Sequence, residues 1–131
     1  MMFGVKCKTE FNHHRIQKAA DDATYRSLGH AAASVRKIAR ASIERAEGAS
    51  APGTPPHTHR RGRSIRTAIL FAAEWDRAVV GTSFAILGEA GSPHERGGVF
   101  RGRTYDPRPF MAPALVEAAP RMPSHWANSV Y

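Results

Sequence analysis

From Ile16 to Ala46, apolar or small side chains return every three or four residues: Ile16, Ala19, Ala20, Ala23, Leu28, Ala31, Ala32, Val35, Ile38, Ala39, Ser42, Ile43 and Ala46. Arg15, Lys18, Asp22, Arg26, Arg36, Lys37, Arg40, Glu44 and Arg45 fill most of the positions between them. That period predicts one amphipathic helix over residues 14–47. In a chain of 131 residues such a helix constrains everything else, because its apolar stripe has to be covered. Much of the stripe is alanine, which lets a sheet or another helix come close. Gly29 weakens the middle by up to about 1 kcal/mol relative to alanine, which leaves room for a bend or break there. Gly48 is expected just past the helix end, as its C′ residue.

The remaining segments supply the cover. "MFGVKCKT" alternates, with Phe3, Val5 and Cys7 on one side and Lys6 and Lys8 on the other, which predicts a half-buried strand over 2–9. Residues 48–63 are rich in glycine and proline and read as a long loop. "SIRTAILFAAEW" and "AVVGTSFAIL" read as the two strands of a β-hairpin over 64–87, with Ile65, Ile69 and Phe71 inward and Asp76-Arg77 as the turn. Residues 88–107 read as a second long loop, with a brief strand around Val99–Tyr105. A helix over 111–119 follows, stopped by Pro120 and Pro123, and 120–131 is a tail. The expected fold is a single α+β domain spanning 1–131. The long N-terminal amphipathic helix and the short C-terminal helix pack on a small antiparallel sheet that carries two long loops.

Composition narrows the function. Apolar residues make up 42% and charged residues 23%, an ordinary globular balance. Nothing approaches about 18 consecutive apolar residues, so no membrane partner is expected. The N-terminal stretch lacks an apolar signal-peptide core, which points to synthesis inside the cell. Cys7 is the only cysteine, so no disulfide forms within the chain. The formal net charge is +8, and no acidic residue falls between Gly48 and Ala73, where Arg60, Arg61, Arg63 and Arg66 lie. Arg96, Arg101, Arg103 and Arg108 form a second cluster. Such clusters suit phosphates or acidic protein surfaces; they also occur as plain solvated charge.

Catalytic and metal patterns are weak. His57 and His59 are two apart, and His94 adjoins Glu95, but a zinc site needs three or four converging ligands. No CxxC, HExxH, GxSxG or phosphate-cradling glycine motif is present. The chain is therefore expected to be no enzyme and to need no cofactor or metal. Helix-turn-helix, zinc-finger and RNP patterns are lacking as well. The most distinctive stretch is "RPFMAPAL", Arg108 to Leu115. Pro109 fixes the backbone ahead of Phe110, so the ring is presented with little entropy left to lose. Phe110 then either plugs its own core or anchors a neighbour, with Arg108, Pro109, Met111 and Leu115 around it.

Taken together, "GTPPHTHRRGRSIRTAI" (53–69), "VVGTSF" (79–84), "HERGG" (94–98) and "RPFMAPAL" (108–115) carry a resemblance. In this order the chain resembles the neck or tail-completion proteins of long-tailed bacteriophages, the head–tail joining family also described as tail components. Their pattern runs from a long N-terminal helix to a Pro-rich loop with "TG-x-LR-x-SI". A strand ending in "VG", a loop of the His-Glu-Phe-Gly-Gly kind and "RPF-[ML]-x-PAL" follow. The likeness covers residues 20–119. Here "RRGRSIR" replaces the usual Thr-Gly-x-Leu-Arg, and Arg96 stands where an aromatic is common. The resemblance implies a virion structural protein with no catalytic residues. It implies a homo-oligomeric ring, a hexamer or a dodecamer, that joins head to tail or completes the tail. Its partners would be head-completion or connector proteins, tail-terminator or tail-tube proteins, and genomic DNA in the lumen. The chain would be made in the host cytoplasm and reside in the virion. The long loops, with Arg60, Arg61, Arg63, Arg96, Arg101 and Arg103, would reach neighbouring rings or the DNA, and Phe110 with Arg108, Pro109, Met111 and Leu115 would pack at an interface. The competing expectation, from charge alone, is a basic nucleic-acid-binding protein that touches phosphates through its Arg-rich loops.

Overall fold

The computed structural model describes Gly4, residues 12–59 and residues 65–130. The strand expected over 2–9 and the arginines Arg60, Arg61 and Arg63 lie outside the described residues. Helix α1 spans His13–Ser42, about 45 Å of rod. Asn12 caps it, its side-chain oxygen accepting from the Arg15 N–H at 3.0 Å. Gly29 introduces no break. The buried stripe is Ala23, Ser27, Ala31, Ala32, Val35 and Ala39.

The helix ends earlier than its periodicity suggests. Ile43 is extended (φ −91°, ψ 105°) and only 1% exposed, so the chain leaves the helix to bury that side chain. Residues 44–46 then pair with the loop that follows. The Thr58 N–H donates to the Glu44 carbonyl at 2.8 Å, and the Ala46 N–H to the Thr58 carbonyl at 3.3 Å, around a parallel bridge between Arg45 and Thr58. Periodicity is a local signal, and a pairing partner more than ten residues away overrides it here.

Helix α2 (Ile65–Ala68) is one turn, and strand β1 (Ile69–Ala73) leaves it directly. Strand β2 (Ala78–Thr82) pairs with β1 antiparallel, Ile69 opposite Thr82 and Ala73 opposite Ala78. The expected hairpin is thus present but shorter at both ends. Residues 65–68 are helical because Ile65, Ala68 and Ile69, at helical spacing, all turn into the core. At the far end Phe84–Leu87 forms the short helix α3. The turn spans Glu74–Arg77, closed by the Glu74 N–H to the Arg77 carbonyl and by the Arg77 guanidinium on the Glu74 carboxylate, both at 2.7 Å.

Residues 88–107 are not a long loop. A 3₁₀ turn (Gly88–Ala90) leads into α4 (Gly91–Arg96), and a second two-stranded sheet follows, β3 (Gly98–Phe100) with β4 (Arg103–Tyr105). Helix α5 is Met111–Ala118, and the expected tail is structured: a 3₁₀ turn (Ala119–Arg121) and α6 (Met122–Trp126). Pro120 and Pro123 sit at the second positions of those two elements, in the first turn, where a proline forfeits no needed N–H, so they help start structure rather than stop it. Ser27 of α1 donates to the His125 carbonyl at 2.7 Å and ties α6 down.

The architecture is α+β, as expected. Helix α1 is the spine, and β1–β2, α5 and α6 all pack against it. The core joins Val35, Ala39 and Ile43 to Ile65, Ile69, Phe110, Ala114 and Ala118. Among the described residues Phe110 is the largest side chain fully inside, 1% exposed in its own chain. Of the two roles open to it, core plug or interface anchor, the ring takes the first within this chain. Phe110→Ala should therefore cost about 3–5 kcal/mol, measurable as a lower midpoint in urea denaturation of the isolated protein.

Candidate interaction surface

The N-terminal end of α5 is held by a single carboxylate. Helix α5 begins at Phe110, which has no side chain able to cap it. Glu95, at the end of α4, takes that place. One of its oxygens accepts from the N–H groups of Phe110 (2.8 Å) and Met111 (3.0 Å), and the other from Ala112 (2.8 Å). A helix start leaves four N–H groups without partners. Glu95 takes three of them, and the fourth position is Pro113, which has no N–H to satisfy. The carboxylate also meets the positive end of the helix dipole.

Gly97, two residues after Glu95, serves the same junction. Gly97 has φ +71°, and a Cβ there would come within 2.9 Å of the Pro107 nitrogen and the Tyr105 carbonyl oxygen. The chain after β4 therefore crosses directly over residue 97. The Arg108 N–H donates to the His94 carbonyl at 2.7 Å. The Arg108 side chain, half-buried, donates from Nε to the Ser50 carbonyl at 2.9 Å, while the Gly53 N–H donates to the Pro107 carbonyl at 2.8 Å. "HERGG", "RPFMAPAL" and the start of the 48–59 loop thus meet at one point.

The loop histidines are occupied locally. His59 Nδ1 lies 2.6 Å from the Ala46 carbonyl and His57 Nδ1 3.3 Å from that of Gly48. A carbonyl only accepts, so each Nδ1 is the donor. No group of three or more His, Cys, Asp or Glu side chains that could hold a metal occurs among the described residues. His94 is different: burial, then the nearby Arg108 charge, lowers its pKa below the ordinary 6.5.

Beyond the junction the surface is apolar in two places. A cavity of about 400 Å³ opens between α1, β2, α5 and α6, lined by Leu28, Val35, Val80, Met111, Leu115 and Trp126 among others. Leu115, on its rim, is 52% exposed, and Val116 beside it 73%. The outer face of the β1–β2 hairpin, turned away from α1, carries exposed Leu70 and Val79. Of the sequence-predicted residues, Pro109 and Met111 are half-buried, and Met111 and Leu115 reach the cavity. Arg96 is exposed at the end of α4, and Arg101 and Arg103 are exposed at the β3–β4 hairpin. Sequence reasoning placed Glu95 in a motif but missed its task. The available signal was a helix starting at Phe-Met-Ala-Pro with no capping side chain of its own.

No family model, curated protein or solved structure matches this chain. Among the described residues no helix is long and apolar enough to cross a membrane.

Two outcomes follow from the junction. Glu95→Ala leaves three N–H groups without their acceptor and should cost about 2–3 kcal/mol in chemical denaturation, with Glu95→Gln intermediate. Because the folded chain keeps His94 neutral, the unfolded chain takes up a proton that the folded chain refuses as pH falls below about 6.5. Stability should be level above that pH and decline on acidification through it. His94→Gln should remove that part of the slope, read from denaturation midpoints across pH.

Proposed function

We propose that this chain is a structural subunit of the neck of a long-tailed bacteriophage, forming a ring that joins head to tail or completes the tail. The observation that carries the reading is the pair of uncovered apolar surfaces on one small domain. The cavity rim at Leu115 is one, and the outer hairpin face at Leu70 and Val79 is the other. They belong to opposite sides of the β1–β2 hairpin, since Val80 lines the cavity and Val79 faces outward. A ring needs two different complementary surfaces on each subunit, one for each neighbour. The ordered motifs add support, because the two most distinctive of them, "HERGG" and "RPFMAPAL", are bonded to each other through Glu95.

In this reading the subunits form a hexamer or a dodecamer between connector and tail proteins, with DNA in the lumen. Leu115, with Met111 beneath it, contributes to the subunit contact. Arg108 and Pro109 hold the start of α5 in place from within. A basic nucleic-acid-binding protein is the second reading, favoured by the exposed Arg101 and Arg103 on one hairpin. Binding that collapses with added salt would favour it.

Particles made without this gene should accumulate as separate filled heads and tails; intact infectious particles would overturn the neck reading. Leu115→Lys and Val79→Lys, both at exposed positions, should each change stability by less than about 0.5 kcal/mol yet prevent ring formation, as seen by electron microscopy of assembled necks.

A further inference from the structure

The β3–β4 hairpin turns through two residues, Arg101 and Gly102, with φ of +50° and +75°. Phe100 and Arg103 close the turn as its last paired residues. A two-residue turn with both φ values positive favours Asn, Asp or Gly at its first position. Arg101 holds that left-handed position instead. The only other non-glycine residue with positive φ among the described residues is Asn128, a type that tolerates it. A side chain kept against the backbone's preference is a reason to ask what the side chain does.

Its surroundings give an answer. The Arg101 guanidinium lies over the Phe100 ring, 5.2 Å from its centre. Arg103 stands directly across from Phe100, on the same face of the ribbon. The ring in turn lies 6.4 Å from that of Tyr105 on the paired strand, and both residues are half-buried. From Arg96 to Tyr105 there is no acidic residue; the flanking carboxylates are Asp106, exposed just past β4, and Glu95, which is committed to α5. Neither guanidinium has an acidic partner among the described residues. A guanidinium stacked on an aromatic ring keeps its N–H edge outward, in the planar fork that matches a phosphate. A two-stranded ribbon is also of a width that a DNA groove accepts.

We infer that the β3–β4 hairpin is a contact for the sugar–phosphate backbone of duplex DNA, with Arg101 and Arg103 each meeting a phosphate regardless of sequence. The inference rests on the neck reading only for the source of the duplex in the lumen, and its test does not require a ring. An acidic protein surface is the competing occupant.

The test uses the full chain and a short labelled duplex of mixed sequence, followed by fluorescence anisotropy between about 50 and 200 mM salt. The double variant Arg101→Asn, Arg103→Gln should bind about tenfold more weakly at the low-salt end, and the slope of log affinity against log salt should shrink by about 2. Arg101→Asn alone suits the turn better, so its melting temperature should not fall while its DNA affinity does. Lys37→Gln with Arg121→Gln removes the same charge from exposed positions elsewhere and should leave the slope unchanged. The inference is overturned if the hairpin variant keeps wild-type affinity and slope, or if the control pair loses as much. It is also overturned if polyglutamate, and not the duplex, is bound in a hairpin-dependent way. Failure here with heads and tails still separating on gene deletion removes the hairpin contact and leaves the neck reading standing. Intact particles with hairpin-dependent DNA binding do the reverse.

Discussion

The carboxylate of Glu95 decides where the second half of the chain sits. Three N–H groups at the start of α5 converge on it, and the proline that follows removes the fourth donor from consideration. With that end fixed, Phe110 has one direction to go, into the space between α1 and β1, where Ile43, Ile65 and Ile69 receive it. The two arms of the junction depend on each other. The Arg108 N–H holds α4 through the His94 carbonyl, and the Arg108 side chain holds the 48–59 loop through the Ser50 carbonyl. A loop rich in glycine and proline is pinned near its start to Pro107 and Arg108 and near its end to Glu44 and Ala46.

The sequence told most where the signal was local and periodic. Helix α1 and the β1–β2 hairpin were legible because a stripe of alanines and an alternation of apolar residues repeat over several turns or pairs. The end of α1 was not, since Ile43 leaves the helix for a core that includes residues from both halves of the chain. Ile65, Ala68 and Ile69 carried a helical spacing that a strand reading of the same stretch passes over. The segment after Gly88 looked like a loop because each of its elements spans only three to six residues, too short for periodicity to register. Pro120 and Pro123 were misleading for a different reason: proline breaks a helix from inside but begins one readily.

The candidate surface was legible in part. "RPFMAPAL" announced a fixed aromatic, and proline stiffness explains why. Whether that ring faced inward depended on the spacing of α1 from β1, which no stretch of residues 108–115 encodes. The division of labour that results is plain in the structure. Phe110 is buried, Leu115 five residues later is exposed at the cavity rim, and Met111 lies between the two. The arginines were legible as charge and not as geometry, because a guanidinium becomes specific only once a turn fixes its direction.

The spine of the fold also sets a schedule. Helix α1 emerges from the ribosome early, but α5 and α6, which cover much of it, are translated last among the described elements. At about 5–20 residues per second the stripe waits for several seconds before its cover arrives. Alanine limits the hazard of that wait, because each uncovered methyl offers little apolar area to a passing chain. A stripe of leucines would be far stickier while bare. The small residues that let the elements pack closely in the finished domain also keep the half-made chain apart from its neighbours.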